Sequence, residues 1–439
     1  MRFSNFIHEL HRDKVVCLYN ALNMHTFFMS QDEYIDLKKA ISQGETDDSS
    51  QMKEMLKYFF VVDDDFDEDS HIERIIKRVF TGVNIRVMVL HLSDFCNLKC
   101  RYCFIEGNIG KNYERKLMSK EVVKCAIDWF IQILRDYQGV ASPSIVFYGG
   151  EPLTNWDTLK YALEYLHDKK EGINTVLITN GTLINKDIAE TLKKHNVYVS
   201  VSLDGDEECT NVNRVYQDGR GAFADTIRGI ETLRVAGVEP SVSCVLAKEN
   251  VYRAPMIMKY FAENLGIKAL GFNHVSIVPN QNYYDIQYEQ EFAQALINVQ
   301  EEIQAKYPDI FERRMNHKIN CFNKRLLLRA DCTGCGEQVS ISPLGEVGIC
   351  QGYMGTRKTF NNTIFNKDYS PKNDPVFIEW SNRSPLNMEE CRKCIALATC
   401  GGGCPRNADV LTGSIWNPDK AFCHFAKLAQ EWMIWKSYS

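Results

Sequence analysis

The 439-residue sequence lacks any run of about 18 apolar residues, the length that an α-helix needs to cross a lipid bilayer. Residues 1–5 also lack the apolar core that marks a secretion signal. Basic residues are not in excess, since the formal net charge is −6, and the chain therefore has no general attraction for nucleic acid or anionic lipid. We expect a cytoplasmic protein that binds neither nucleic acid nor a membrane.

Cysteine, in contrast, is frequent for a protein of a reducing compartment, where disulfides are rare. Three of the 16 cysteines fall within residues 96–103 and eight within 332–423, whereas five are isolated. Clusters at such short spacing favour metal ligation. The isolated cysteines are interpreted as small buried apolar residues, and they are Cys17, Cys125, Cys209, Cys244 and Cys321.

The first cluster has the pattern C-x3-C-x2-C and consists of Cys96, Cys100 and Cys103, directly after an apolar segment at 86–92. Three thiolates can hold three corners of a [4Fe–4S] cluster and leave the fourth iron open. A structural zinc site normally has a fourth ligand, although a zinc knuckle or redox thiols remain an alternative. The pattern resembles that of the radical S-adenosylmethionine (SAM) enzymes, in which SAM binds the open iron. The resemblance implies reductive cleavage of SAM to a 5′-deoxyadenosyl radical, which abstracts hydrogen from a substrate.

From residue 84 onward, strand-like and helix-like segments alternate six times. Strands that each lead to a helix predict a parallel sheet with right-handed crossovers. We therefore expect an α/β fold, a partial (β/α)6 TIM-like barrel with its chemistry at the C-terminal ends of the strands. The predicted strands are 86–92, 145–148, 175–179, 197–203, 241–247 and 269–275, and the predicted helices are 119–136, 157–167, 186–195, 223–236, 251–265 and 287–307.

Both ends of the chain differ from this alternation. Residues 1–70 predict a small α+β, winged-helix-like domain with strands at 15–19 and 26–29 and helices at 31–42 and 51–60. An acidic run at 63–69 is a solvated linker or a helix start, and residues 71–83 are predicted to link this domain to the barrel at 84–310. Residues 311–439 have little helical periodicity and predict an irregular iron–sulfur domain that metal clusters stabilise.

Polar motifs follow the predicted strands, and the resemblance implies that they bind SAM. Gly149, Gly150 and Glu151 form a glycine-rich motif that would hold the SAM amino group, with the carboxylate adding a charge-assisted hydrogen bond. Tyr102 matches the aromatic position near adenine, and Arg214 matches the arginine near the SAM carboxylate, although an ordinary surface arginine is an alternative. Segments that would line the ribose and the methionine moiety contain Asn180, Ser200, Ser202 and Asp204.

The C-terminal cysteines closely match the seven-cysteine signature of the SPASM domain. This resemblance implies two auxiliary [4Fe–4S] clusters, hence three clusters in all. The nearer cluster would be held by Cys332, Cys335, Cys350 and Cys404, and the outer cluster by Cys391, Cys394, Cys400 and Cys423. Cys332 lies outside the signature, so an open site or ligation by Cys321 is an alternative, and two zinc sites would satisfy the same spacings.

Gln351 stands where some family members carry an aspartate that acts as the base in sulfatase maturation. A glutamine cannot accept that proton, so this departure counts against sulfatase maturation. We assign no catalytic acid or base from the sequence.

SPASM enzymes mostly modify peptides or proteins, and residues 1–70 resemble a leader-peptide recognition element, which binds a peptide as an added strand. We therefore expect a radical SAM peptide maturase that installs a thioether or carbon–carbon crosslink in a precursor peptide with a leader sequence. A reductant such as flavodoxin or ferredoxin would supply electrons. The alternatives are a sulfatase-maturating protein oxidase, a non-catalytic iron–sulfur electron carrier and, for residues 1–70, a structural cap on the barrel.

Overall fold

The computed structural model describes residues 1–44, 50–80, 82–110, 113–137, 141–278 and 285–438. The strands are β1 (Arg2–Phe3), β2 (Ile7–Arg12), β3 (Val15–Asn20), β4 (Thr26–Ser30), β5 (Val61–Val62), β6 (Val87–Ser93), β7 (Ser144–Gly149), β8 (Asn174–Thr179), β9 (Tyr198–Ser202), β10 (Ser241–Leu246), β11 (Ala269–His274), β12 (Phe311–Glu312), β13 (Gln338–Ile341), β14 (Glu346–Gly348) and β15 (Asn362–Thr363). The α-helices are α1 (Gln31–Gln43), α2 (Ser50–Lys57), α3 (Glu68–Val79), α4 (Lys120–Asp136), α5 (Trp156–Lys169), α6 (Lys186–Lys194), α7 (Glu207–Asn213), α8 (Phe223–Val235), α9 (Ala254–Glu263), α10 (Ile286–Lys306), α11 (Arg313–Asn323), α12 (Pro375–Ser381), α13 (Glu389–Arg392), α14 (Leu397–Cys400), α15 (Pro405–Thr412) and α16 (Lys420–Lys436).

A parallel sheet runs through the middle of the chain in sequence order, from β6 to β11. Along β7, Ile145 and Phe147 are fully buried, whereas Val146 and Tyr148 are half-buried. Because side chains alternate between the two faces of a strand, the first pair packs towards the helices and the second lies on the concave inner face. The predicted α/β partial barrel is confirmed, with its predicted strands and helices present and their ends shifted by a few residues.

The crossover helices begin where side chains cap them. Ser119 Oγ accepts a hydrogen bond from Val122 N (3.2 Å) at the start of α4, as the sequence predicts. Asn185 Oδ1 accepts from Ile188 N (3.0 Å) in the same way at the start of α6. Such caps satisfy N–H groups of the first turn that have no partner within the helix.

The C-terminal region is more regular than the sequence predicts. β12 pairs with β11, and β13 pairs in parallel with β6, so both extend the barrel sheet to the order β12-β11-β10-β9-β8-β7-β6-β13-β14-β15. The domain boundary at residue 311 stays a prediction, although residues 311–312 join this sheet and α11 and α16 are regular helices. The 17-residue helix α16 is apolar on several sides, since it packs among other elements, and its helical period is therefore weak.

The N-terminal domain contains the predicted strands and helices as β3, β4, α1 and α2, together with elements that the sequence prediction missed. β2, β3 and β4 form an antiparallel sheet in that order, and β1 pairs with β5. The predicted linker at 71–83 is wrong over most of its length, because α3 spans Glu68–Val79; residue 81 lies outside the described residues. The acidic run contains the helix start, since Asp67 caps α3, and Glu68 is buried and accepts from Ser4 Oγ (2.6 Å).

One face of the N-terminal sheet packs against the C-terminal domain. Tyr19 and Ile72 belong to an apolar cluster that also contains Leu397 and Met433. The opposite face packs under α1 and α2 in a separate apolar cluster. The domain is thus built onto the C-terminal domain by a shared core, which differs from the cap on the barrel considered above.

Candidate active site

The loop after β6 carries the first three cysteines and is fixed against the segment that follows α7. Lys99 N–H donates to Val215 O (2.6 Å) and Arg101 N–H donates to Asn213 O (3.0 Å). These backbone bonds hold the loop at the C-terminal ends of the barrel strands, where the fold places its chemistry.

The three thiols of this loop lie near one another and fit a cluster. Burial raises the pKa of Cys100 to about 11, against the lowering effect of Arg214 and with a contribution from the neighbouring Cys103 thiol. Leu98 N–H donates to Cys96 Sγ (3.4 Å) and Glu106 N–H donates to Cys103 Sγ (3.5 Å), so backbone donors already point at two of the sulfurs. Such donors are found around iron–sulfur thiolates, where they tune the cluster.

Within the described ranges, no group of three His, Cys, Asp or Glu side chains is arranged to hold a single metal ion. A [4Fe–4S] cluster on these three thiols stays a prediction.

Gly149 and Gly150 lie directly against the cysteine loop. A Cβ atom on Gly150 would lie 2.4 Å from Phe95 O and 3.2 Å from Cys96 Cβ, and one on Gly149 would lie 2.3 Å from Ser93 O. Gly150 N–H also donates to Ser93 O (2.8 Å). The prediction explained these glycines by the approach of the SAM amino group; the structure adds that the backbone of the cysteine loop already fills the space that a side chain would need.

We expect Gly150→Ala to displace the cysteine loop, because the clash is with backbone atoms that cannot rotate away. Overpacking of this kind costs about 1–3 kcal/mol of stability. We expect SAM cleavage to fall at least 10-fold, because displacement of a reacting group by about 1 Å can slow a reaction by that much or more. Assays of 5′-deoxyadenosine under anaerobic conditions would measure this. Gly110→Ala is the matched control, since a Cβ there meets nothing within 4 Å; equal activity of the two variants would contradict the argument.

Glu151 is buried and holds the ends of neighbouring strands together. Its Oε1 accepts from Leu153 N (3.0 Å) and Thr179 Oγ1 (2.7 Å), and its Oε2 accepts from Asn180 N (2.8 Å). Burial raises the pKa of Glu151 to about 7, against the lowering effect of these donors. The predicted bond to the SAM amino group is compatible with this arrangement, because Oε2 has one donor among the described residues and a carboxylate oxygen can accept two.

Asn180 connects the end of β8 to the cysteine loop. Its Nδ2 donates to Asn97 Oδ1 (2.9 Å), and its Oδ1 accepts from the backbone N–H (3.0 Å) and the hydroxyl (2.7 Å) of Thr182. Asn97 in turn donates to Thr182 Oγ1 (2.8 Å). The predicted SAM-lining residue is therefore also part of the scaffold that positions Cys96.

Asp204, Arg214 and Tyr102 form one buried group beneath the cysteine loop. Arg214 donates to Asp204 through Nε (3.0 Å) and Nη2 (3.1 Å), and the Tyr102 hydroxyl also donates to this carboxylate. Val245 N–H fills a further position on Asp204 (2.9 Å). The surface-arginine alternative is wrong, since Arg214 is 7% exposed. Its Nη1 has no hydrogen bond within the described part of the chain, so contact with the SAM carboxylate stays a prediction.

Ser200 and Ser202 are half-buried on β9 and alternate with the buried Val199 and Val201. They therefore lie on the inner face of the barrel. Ser202 pairs in register with Ser243 of β10, which extends this polar strip across two strands.

The eight C-terminal cysteines fall into two spatial groups. The pKa of Cys332 is raised by burial and then by the nearby thiols of Cys335, Cys404 and Cys350. Burial raises the pKa of Cys391 to about 12, with further contributions from two neighbouring thiols. After burial, the thiols of Cys400, Cys391 and Cys394 also raise the pKa of Cys423, so these four residues form the second group. The groups coincide with the two predicted ligand sets, and their occupancy by clusters stays a prediction.

The surroundings of Cys321 and Gln351 bear on two alternatives from the sequence: ligation of the nearer cluster by Cys321, and sulfatase maturation. Cys321 is buried on α11, where burial raises the pKa of its thiol and the charges that act on it come from Lys318 and Asp331. The structure thus brings Cys332 and not Cys321 beside the nearer group. Gln351 accepts a hydrogen bond from Gln338 Nε2 (2.8 Å), and its amide cannot serve as the base that an aspartate would provide.

Two buried arginines in the C-terminal domain were missed by sequence reasoning. Arg383 is fully buried and donates to the carbonyls of Gly402 (2.8 Å) and Gly403 (3.4 Å) between the two cysteine groups. Arg406 donates to Ile277 O (2.7 Å), which links the C-terminal domain to the loop after β11. Nothing in the local sequence separates these arginines from surface ones, because their partners are backbone carbonyls distant in the chain.

Comparison with known proteins agrees with this geometry. The model of the radical SAM superfamily matches residues 90–251. The radical SAM cyclopropyl synthase TigE of Paramaledivibacter caminithermalis is 27% identical over 383 residues, which are 82% of this chain and 76% of that protein. The cysteine-type anaerobic sulfatase-maturating enzyme of Clostridium perfringens (strain 13 / Type A) is 26% identical over 74% of this chain and 90% of its own length.

Among solved structures, Streptococcus suis SuiB bound to its precursor peptide SuiA is similar in fold, with a TM-score of 0.57 at 16% identity. The likeness covers 96% of this chain and 99% of that one, and it therefore extends over the N-terminal domain. In the described part of the chain, no helix is long and apolar enough to span a bilayer.

Proposed function

This chain belongs to the radical SAM superfamily and is of the SPASM type, and from this premise we propose that it is a peptide maturase. Its substrate would be a precursor peptide with a leader sequence, and its product a peptide with a thioether or carbon–carbon crosslink. The observation that carries this proposal is the open edge of the N-terminal sheet.

β4 forms that edge and has the properties of a strand that accepts a partner. No other strand pairs with its outer side among the described residues. It contains no charged residue and no proline, whereas the opposite edge, β2, carries Glu9 and Arg12. Charges on an edge strand discourage pairing, and their absence leaves β4 open to an added strand.

The hydrogen-bond phase of β4 identifies the backbone groups that would receive the leader. Asn20 N–H donates to His25 O (3.0 Å), which fixes His25 as a residue bonded towards β3. Bonding alternates along an antiparallel strand, so the N–H groups of Thr26 and Phe28 point to the open side. The likeness to SuiB, which was crystallised with a precursor peptide, includes this domain and supports the proposal.

We expect Thr26→Pro to weaken precursor binding at least 10-fold, because proline removes an outward donor and its ring obstructs the edge. Fluorescence anisotropy with a labelled leader peptide would measure the affinity. Glu9→Pro is the matched control on the opposite edge of the sheet. Ala21 N–H donates to Phe6 O, so Phe6 bonds towards β3, and alternation along β2 makes the N–H of Glu9 point to the open side. Equal losses in the two variants would contradict leader binding at β4.

The residues of the barrel mouth would hold SAM in one orientation. When bound, SAM and the reduced cluster supply the radical that removes a hydrogen atom from the peptide. Glu151 Oε2 and Arg214 Nη1 have unused hydrogen-bonding capacity for the amino and carboxylate groups of SAM. The nearer C-terminal cysteines would hold an electron acceptor close to the barrel mouth. With the cluster of the cysteine loop and the outer C-terminal cluster, this gives three clusters in all. An external reductant such as flavodoxin or ferredoxin and a cytoplasmic location remain predictions.

Mass spectrometry of the precursor peptide tests the proposal directly. Reconstituted enzyme, SAM and a reductant should convert the peptide to a product that has lost two hydrogens, and omission of SAM should prevent this. Formation of 5′-deoxyadenosine with no change in the peptide would sink the proposed substrate class and leave the SAM chemistry intact.

Sulfatase maturation is the second candidate, favoured by the 26% identity to the Clostridium perfringens enzyme. Gln351 counts against it, because a glutamine cannot act as the expected base. The N-terminal domain also counts against it, since the match takes in 90% of that enzyme but only 74% of this chain. Incubation with a sulfatase-derived cysteine peptide should give no formylglycine.

A further inference from the structure

Tyr148 stands on the inner face of the barrel, immediately before the glycine-rich motif. It is half-buried, and in register it pairs with His91 of β6. The rings of these two residues meet edge to face, with centroids 5.7 Å apart and planes at 89°. His91 is itself 1% exposed, so this contact fixes the Tyr148 ring and presents its hydroxyl to the interior of the barrel.

The hydroxyl of Tyr148 has no hydrogen-bond partner within the described residues. The hydroxyls of two other tyrosines are held by carboxylates: Tyr113 donates to Asp94 (2.8 Å) and Tyr353 donates to Asp409 (2.6 Å). Within the described residues, no carboxylate holds the hydroxyl of Tyr148 in this way. An unused polar group at a partly open position is available to a ligand.

The charges that act on this hydroxyl show what lies around it. Burial raises the pKa of Tyr148, and the neighbouring charged groups are Cys103, Arg214, Cys350 and Cys96, in decreasing order. Two of these belong to the cysteine loop and one to the nearer C-terminal group. The Tyr148 side chain is therefore near both the cysteine loop and the nearer C-terminal group.

We propose that Tyr148 contacts the peptide substrate, its hydroxyl donating a hydrogen bond to the peptide at the site of hydrogen abstraction. This inference rests on the proposed peptide-maturase function. A substrate that first loses a hydrogen atom to the radical, and then an electron to the nearer C-terminal group with release of a proton to solvent, must lie close to both sites. Tyr148 offers a hydrogen-bond donor near both. The bond would keep the reacting C–H in line during both steps.

Tyr148→Phe in the reconstituted holoenzyme tests the inference, because it keeps the ring contact with His91 and removes only the hydroxyl. We expect the ratio of crosslinked peptide to 5′-deoxyadenosine to fall about 10-fold, with the KM for SAM unchanged. Titration calorimetry with core peptide, in the absence of SAM, should show a Kd raised about 2- to 10-fold. Tyr137→Phe is the matched control, since it removes another partnerless hydroxyl at the distant end of α4.

The possible outcomes are distinguishable. A raised KM for SAM with unchanged coupling would assign the hydroxyl to the cofactor and overturn the inference. Wild-type behaviour of Tyr148→Phe would overturn it as well, while conversion of the peptide by the wild type would still uphold the proposed function. Failure of the wild-type enzyme to alter the peptide would remove both.

Discussion

Cys100→Ala is expected to abolish SAM cleavage, because two thiolates cannot hold the cluster that must leave one iron open. The iron content should fall by about four per chain, from about twelve to about eight, if the C-terminal groups hold two further clusters. Iron assay, electron paramagnetic resonance of the reduced protein and 5′-deoxyadenosine analysis would measure these losses. The near neighbourhood of Cys96, Cys100 and Cys103 makes the three replacements equivalent in outcome.

Cys125→Ala serves as the control for this result. Cys125 belongs to none of the three groups and is exposed on α4, so its interpretation as a buried apolar residue was wrong, whereas the other four isolated cysteines are buried. Its replacement should leave both the iron content and SAM cleavage unchanged. Retention of SAM cleavage by Cys100→Ala would overturn the assignment of the cysteine loop, and an iron loss larger than four would show that the clusters assemble together.

Arg214→Ala should produce a large loss of stability in the barrel. Arg214 and Asp204 form a buried, two-bond ion pair, and removal of one partner from such a pair costs about 3–5 kcal/mol since the other charge stays buried. The Tyr102 hydroxyl and Val245 N–H also depend on this carboxylate. Thermal unfolding of the reconstituted protein under anaerobic conditions would measure the change.

Arg220→Ala is the corresponding control on the surface. Arg220 is 57% exposed and pairs with Asp225 (2.8 Å), and exposed pairs contribute about 0–1 kcal/mol. A combined Asp204→Leu and Arg214→Met variant should recover part of the stability, because no unpaired charge remains. If SAM affinity recovers with stability, Arg214 acts only as a scaffold; if it stays low, Arg214 also binds the cofactor.

The barrel and the cysteine groups could be predicted because their signals are local. Strands such as 175–179 and helices such as 119–136 have apolar periods that a short window reveals. The cysteine spacings are equally local, and the structure brings together the residues that the resemblance grouped. The ion pair of Asp204 with Arg214 had no such signal, since an arginine ten positions from an aspartate occurs as readily on a surface.

Long-range pairing accounts for most of what the sequence did not predict. β13 joins β6 across most of the chain, and the neighbouring ion pair of Arg86 with Glu337 spans 251 positions. No local pattern announces such a partner, so the C-terminal region was predicted to be irregular. The steric reason for Gly149 and Gly150 could not be predicted either, because the backbone atoms that exclude a side chain there belong to another loop.

The pairing of β6 with β13 also has a consequence for electron transfer. β6 leads into the cysteine loop, and β13 leads through β14 to Cys350, so one parallel register sets the separation of the two sites. A slip by one residue would move them by about 3.3 Å and turn every side chain of β13 to the other face. If the two sites hold the proposed clusters, the four residue pairs that join β6 to β13 would help set the tunnelling distance between them. A chimaera that exchanges C-terminal domains must keep residues 338–341 in register with residues 87–90, wherever its junction is placed.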